Sequence, residues 1–174
     1  MIESEPRDVT FGIVALSEGY VGLATTSRGL SRLTLPQTTE AEAFGALGLN
    51  VRDSPFRDDD AFAELAARLD RYYAGEPVVF DDITLDLSEV TLFRRRVLET
   101  VRAIPRGQVR SYGQVAAEVG RPTGARAVGG AMSSNPVCVV VPCHRVIASD
   151  GGLGGFGGRL GLKKQLLELE QASS

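Results

Sequence analysis

Cys143 and His144 stand side by side, and His144 is the single histidine of the chain. A free thiol is only a few per cent ionised near neutral pH, so a nucleophilic cysteine needs a base or a positive field beside it. His144 offers a group that titrates near neutrality, and Arg145 offers a fixed positive charge. In extended backbone consecutive side chains point to opposite sides, which disfavours a direct Cys143–His144 hydrogen bond. A bridging water answers that difficulty, with a carboxylate such as Glu170 orienting the imidazole as in a catalytic triad. Residue types alone leave a structural, unreactive Cys143 open.

Other chemistries are disfavoured. Two cysteines and one histidine cannot complete a four-ligand zinc site without several carboxylates, so no metal is expected. The glycine-rich stretch 151–158 lacks the Gly-Lys-Ser/Thr of a phosphate loop, and no cofactor is expected either. Cys138 and Cys143 lie five positions apart. A disulfide across so short an extended segment has poor geometry, and both are expected as free thiols. Low cysteine usage suits a reducing compartment. The longest apolar runs, such as 137–141, fall short of the ~20 residues of a membrane span. No basic stretch followed by an apolar one opens the chain. A cytoplasmic protein without membrane association is the expectation, and 174 residues that are 43% hydrophobic and 24% charged suffice for a real core.

The net charge of −3 conceals a division. Residues 1–90 carry 7 Arg and no Lys against 17 acidic residues, a balance of −10, whereas residues 91–174 carry 10 Arg and 2 Lys against 5, a balance of +7. An acidic supporting part and a basic part that meets phosphate follow from that asymmetry.

The elements that must position Cys143 divide at about residue 88. Before it, residues 11–17, 20–25 and 30–35 read as an antiparallel meander. Residues 36–57 show weak periodicity. Asp58, Asp59 and Asp60 open a helix with Phe62, Leu65, Leu69 and Tyr72 on one stripe, the acids complementing its dipole. Residues 78–87 read as another strand, with Asp81, Asp82 and Asp86 solvated. After the boundary, Thr91 caps a helix carrying Phe93, Val97, Val101 and Ile104. Ser111 and Gln114 form a capping box that starts a short helix over Val115, Ala116 and Val119. A second short helix over 123–134 completes a pattern compatible with a helix-turn-helix. Its small residues (Gly124, Ala125, Ala127, Gly129, Gly130, Ala131) leave Arg126 as the one prominent polar side chain. They serve either close packing on the core or close approach to a nucleic-acid backbone. Residues 137–141 read as a buried strand delivering Cys143, and Leu162, Leu166 and Leu169 mark a last helix that ends near Glu170.

The segment Val141-Pro142-Cys143-His144-Arg145-Val146 resembles the active-site signature of the O6-alkylguanine-DNA alkyltransferases, and the likeness runs from about Thr91 to Glu170. The resemblance implies an α/β fold: an N-terminal RNase H-like antiparallel sheet with a helix (1–87), then a mainly helical, winged-helix-like part with a helix-turn-helix (88–174). It implies repair of double-stranded DNA containing O6-alkylguanine, with O4-alkylthymine as a further candidate substrate. The transfer to Cys143 is irreversible and follows nucleotide flipping, by a monomer that can assemble cooperatively on DNA. His144 would serve as base through water and Glu170 as its orienting residue. Tyr112 would donate to the departing guanine and crowd the 3′ phosphate. Asn135 would organise the chain around the site, and Arg126 would fill the gap left by the flipped nucleotide. Ala125, Ala127 and Gly129 would line the DNA-facing helix, with Met132, Val146, Lys163 and the 154–158 loop at the pocket. The sequence departs from the family where Phe156 and Gly157 replace a Tyr followed by Ser or Ala, and where Cys138 replaces a proline. The thioether product is stable, and no second thiol is expected where it could remove the alkyl group. A lesion-binding relative without chemistry lacks the acceptor cysteine. A thiol hydrolase would turn over on amides or esters, and a transcription regulator would bind specific sequences without transfer.

Overall fold

A computed structural model describes residues 7–50, 53–156 and 158–172. Strands β1 (Arg7–Leu16), β2 (Gly19–Thr26) and β3 (Gly29–Leu33) form the expected meander. Where periodicity is weak the chain nevertheless builds a helix, α1 (Glu40–Leu47), and a strand, β4 (Asp53–Arg57). A capping box between Thr39 and Glu42 starts α1. That helix returns the chain across the sheet, so β4 runs parallel to β1 in the order β3-β2-β1-β4. The sheet is therefore not purely antiparallel.

Alternation along β1 sends Val9, Phe11 and Ile13 toward Ala43 and Leu47 of α1. A Cβ at Gly22 would lie 2.7 Å from Leu47 Cγ and 2.8 Å from the Ala43 carbonyl, so this glycine lets α1 settle on the sheet. The opposite face gives Val21, Leu23, Leu30 and Leu33 to the main core, which continues through the C-terminal helices. Both faces of the sheet are thus covered.

A 3₁₀ turn at Asp60–Phe62 leads into α2 (Ala63–Tyr73). Asp58 bonds the Ala61 amide, as an acid at a helix start should. Asp59 instead accepts from the Ile13 amide at 2.9 Å and from the Arg57 guanidinium, which ties the helix entry to β1.

Residues 78–87 do not form the expected strand. Among the described residues, only Leu30 exchanges ladder hydrogen bonds with this segment, through Thr84 and Asp86. Arg102 takes the carbonyls of Phe80, Asp81 and Ile83, and Arg95 takes that of Leu87. Guanidinium groups satisfy the backbone oxygens that a neighbouring strand would otherwise bind. Asp86 is not solvated as expected: it is 7% exposed and accepts from the Thr26 hydroxyl at 2.6 Å and the Ser88 amide at 3.0 Å. Asp82 pairs with Arg68.

The second part follows the sequence pattern closely. Thr91 caps α3 (Leu92–Arg102), and the Ser111–Gln114 capping box starts α4 (Tyr112–Glu118). Helix α5 (Ala125–Ser133) packs against both. A two-residue strand β5 (Arg110–Ser111) runs parallel to β6 (Val146–Ile147), and α6 (Leu160–Ala172) closes the chain. The valines at 137 and 139–141 are buried and Cys138 is half-buried, but the segment is not a strand. The Val141 amide bonds the Val137 carbonyl and the chain doubles back.

Asp86→Ala removes a buried carboxylate and leaves the Thr26 hydroxyl and the Ser88 amide without their acceptor, and we expect a loss of about 1–3 kcal/mol in urea unfolding. A loss within experimental error of zero would contradict the buried role given to this carboxylate.

Candidate active site

Asn135 shapes the backbone that carries Cys143. Its side-chain amide donates to the Val141 carbonyl at 2.8 Å, and its Oδ1 accepts from the Val137 amide at 3.0 Å. Between them Val139 adopts φ 72°, a left-handed conformation that a β-branched residue rarely tolerates. Its side chain is 4% exposed, so packing holds the strained turn. Pro142 then leads into a 3₁₀ turn at Cys143–Arg145. Cys143 therefore does not sit on extended backbone, which corrects the geometry read from the sequence. His144 makes its bonds elsewhere all the same.

Those bonds converge on one carboxylate. His144 Nε2 lies 2.7 Å from Glu170 Oε1, and both side chains are 1% exposed. Arg145 donates from Nε to Oε2 at 2.9 Å and from Nη2 to Oε1 at 2.8 Å, while its Nη1 donates to the Ile104 carbonyl at 2.6 Å. The Tyr72 hydroxyl donates to Oε1 at 2.7 Å and lies 3.3 Å from His144 Nε2. Burial opposes ionisation of Glu170, but the hydrogen bonds from His144 and Arg145 outweigh it and hold the carboxyl far below the usual range. Burial also lowers His144, against the pull of Glu170, so the imidazole is neutral near pH 7. With Nε2–H directed at a carboxylate, Nδ1 is the basic nitrogen, and it is buried without a protein partner.

Tyr72 is the member that sequence reading missed, and Arg145, read as a positive charge beside the thiol, instead clamps Glu170. Tyr72 counted as one apolar position on a helical stripe. Its signal was the phenol itself, because a buried tyrosine hydroxyl needs a partner.

On the other side of Cys143, the fully buried Lys163 donates to the carbonyls of Val146, at 2.6 Å, and of Leu153. It also reaches the Tyr112 hydroxyl at 3.5 Å. The Tyr112 hydroxyl donates to the Gly155 carbonyl at 3.2 Å. Gly154, at φ 68°, lies so close that a Cβ there would come within 2.6 Å of the ring. A cleft of about 630 Å³ opens beside the acceptor, with Met132, Asn135, Cys138, Cys143 and Phe156 in its wall. Val146 is buried outside that wall and contributes its carbonyl. Gly157 lies outside the described residues. Arg126 and Ala127 are exposed on α5, with Ala125 and Gly129 half-buried, and none of the four joins this network. A Cβ at Gly130 would meet nothing within 4 Å, so the protein's own packing does not require a glycine there.

Cys138 faces the same cleft and interacts side chain to side chain with Cys143. A second thiol therefore stands in the wall beside the acceptor. Its hydrogen bond, that of Asn135 and the Lys163 charge together outweigh burial and lower the Cys143 thiol below its ordinary value. The arrangement eases ionisation of Cys143, leaves His144 Nδ1 as a neutral base, and adds a phenol at Tyr112, which burial and Cys143 hold in the protonated form.

Fold and site thus define a protein with one activated, buried thiol set beside a pair of short helices in a basic C-terminal part. Residues 92–172 match the family described as "6-O-methylguanine DNA methyltransferase, DNA binding domain". A methylated-DNA–protein-cysteine methyltransferase of Mycobacterium leprae is 51% identical over 114 residues, 66% of this chain and 68% of that one. One from Sulfolobus acidocaldarius is 38% identical over 162 residues, 93% of each chain. The structure of Mycobacterium tuberculosis OGT in complex with DNA superposes with a TM-score of 0.78 at 38% identity, covering 94% of this chain and 93% of that one. The chain belongs to the methylated-DNA–protein-cysteine methyltransferase family.

Folded His144 and Glu170 both hold their protons less readily than in the unfolded chain. Their stabilising contribution is complete above the unfolded histidine value of 6.5 and is lost as pH falls through the histidine and then the carboxylate range. We expect the urea midpoint to be lower at pH 5.0 than at pH 7.5, and an equal or higher midpoint would contradict the assigned charge states.

Proposed function

We infer that this chain repairs alkylated double-stranded DNA by direct reversal, moving the alkyl group from O6 of guanine onto Cys143 once per protein molecule. The observation that carries this reading is the lowered, buried Cys143 thiol, with its base and positive neighbours already in place, in a chain of this family. The relatives' names and the DNA bound to the Mycobacterium tuberculosis protein support the substrate class.

The lesion carbon is hidden in a duplex, so the nucleotide is rotated out at a cost of a few kcal/mol, less for a weakly paired damaged base. Helix α5 approaches the minor groove. Its small residues Ala125, Ala127 and Gly129 allow close contact, and Arg126 fills the space left in the stack. The 91–174 part, at +7, meets the phosphates. His144 Nδ1 takes the Cys143 proton through a bridging water, and Glu170 holds the imidazole and stabilises the cation formed. The sulfur lone pair then attacks the alkyl carbon. The S–C bond forms as the C–O6 bond breaks, and the electron pair leaves with guanine. Tyr112 donates its proton toward the departing base, and Lys163 stabilises the charge left on the phenol.

The thioether persists because attack on it by Cys138 would expel a thiolate from an unactivated carbon. The reaction is stoichiometric, not catalytic in turnover. We assign residues 1–87 to an RNase H-like supporting unit and residues 88–174 to a winged-helix-like reacting unit, with a cytoplasmic setting. The β5–β6 pair beside α4 and α5 supports the second assignment. Phe156 lines the pocket without a hydroxyl, so it offers the lesion no side-chain donor.

Mixed with an oligonucleotide bearing O6-methylguanine, the intact protein should gain one methyl group per chain at Cys143 by mass spectrometry. Cys143→Ala should bind the same DNA, more weakly as salt rises, and gain nothing. Label on another residue would overturn the assignment. Tyr72→Phe keeps the ring but removes a donor from Glu170, which makes the carboxylate a stronger acceptor and His144 more basic. The acid limb of the transfer rate should move to higher pH, by up to about one unit, with DNA binding unchanged. A purely structural Tyr72 would lower the melting temperature without moving that limb.

A further inference from the structure

The turn at 137–141 has a chemical consequence of its own. Because Val139 turns the chain back, Cys138 does not point away along a strand but faces the cleft that holds Cys143. The backbone of Cys138 is anchored on both sides. Its amide donates to the Leu33 carbonyl at 3.0 Å, and its carbonyl accepts from the Val140 amide at 2.9 Å. The Asn135 carbonyl accepts from Cys138 Sγ at 3.7 Å, and Asn135 lines the cleft together with both cysteines. Both cysteines are free thiols. Two thiols in the wall of one cleft open to small molecules are more than alkyl transfer requires. Cys138 has no step in that reaction.

We propose that Cys138 is a resolving thiol, which closes a reversible Cys138–Cys143 disulfide when the acceptor is oxidised by a peroxide. The inference rests on Cys143 being the reactive sulfur. The Cys143 thiolate attacks one peroxide oxygen, the O–O bond breaks, and hydroxide leaves to become water, so that Cys143 carries a sulfenic acid. Cys138 sulfur then attacks Cys143 sulfur. The S–S bond forms as the S–O bond breaks, and the hydroxyl leaves as water with the Cys138 proton. Two thiols lose two hydrogens, and one peroxide becomes two waters.

The resting state keeps Cys138 inert. Its thiol is pushed well up, first by the hydrogen bond to Cys143 and then by burial. Conversion of Cys143 to a neutral sulfenic acid removes the first of these causes, so Cys138 gains nucleophilicity only after its partner has been oxidised. The disulfide occupies the acceptor sulfur and stops alkyl transfer. It also protects a single-use residue from irreversible oxidation, and a small thiol reductant restores it.

The test treats the reduced full-length protein with one equivalent of hydrogen peroxide. Intact mass should fall by two hydrogens, and a proteolytic digest should yield a peptide joining Cys138 to Cys143. Transfer capacity should be lost and then return to its untreated level with dithiothreitol. Protein already methylated at Cys143 should form no such link. Cys138→Ala and Cys138→Ser, treated beside wild type with at least three equivalents of peroxide and each compared with its own untreated activity, should instead gain two or three oxygens on Cys143 and stay inactive after dithiothreitol. The proposal is overturned if wild type gains oxygens without losing two hydrogens, or if both variants recover as wild type does. Absence of methyl transfer by the untreated protein would count against the repair reading and leave the peptide-map result to be judged by itself.

Discussion

The carboxylate of Glu170 is the point on which the reacting part depends. A buried anion is tolerable only if every lone pair finds a donor, and here three side chains from two places converge on it. His144 and Arg145 come from the 3₁₀ turn, and Tyr72 comes from the end of α2. The pair of bonds from Arg145 fixes the plane of the carboxylate, and its third bond, to the Ile104 carbonyl, anchors the group to the end of α3. Orientation of one imidazole thus draws on three helices. Removing Arg145 would leave the carboxylate's charge uncompensated in a low-dielectric interior, where truncation of one member of such a pair typically costs about 3–5 kcal/mol.

Against this rigid node stands a strained one. The acceptor is delivered by a turn that Asn135 bridges from both ends and that forces Val139 into left-handed backbone. Strain of this kind survives only where the surroundings over-determine it. Buried valines at 137, 139, 140 and 141 supply that constraint from one side, and the hydrogen bonds of Leu33 to Pro136 and Cys138 supply it from the other.

Much of the C-terminal architecture was legible because its signals are local. Thr91, Ser111 and Gln114 mark helix starts by hydrogen bonds within three residues, and the structure has those bonds. The meander was legible through alternation and glycine turns. What could not be read depends on partners distant in sequence. Residues 78–87 carry a strand-like composition, yet their carbonyls belong to Arg95 and Arg102. The 137–141 valines look like a strand, yet Asn135 and the following proline bend them. The parallel strand β4 escaped because five residues containing Pro55 give little alternation to detect. The site divides in the same way. Cys143, His144 and Glu170 could be named from the motif and its resemblance, whereas Tyr72 lies 98 residues before the carboxylate it serves, and no spacing rule links them.

The covering of β3 by the loop before Cys143 bears on how such a protein can be divided or recombined. Leu33 exchanges backbone hydrogen bonds with Pro136 and Cys138, and Tyr72 closes the carboxylate network, so the acidic part is not a detachable handle. A graft that moved only the basic part onto another scaffold would carry the signature intact. It would leave the acceptor loop without its backing strand and Glu170 short of one donor. The unit of inheritance for this chemistry is therefore larger than the segment that identifies it.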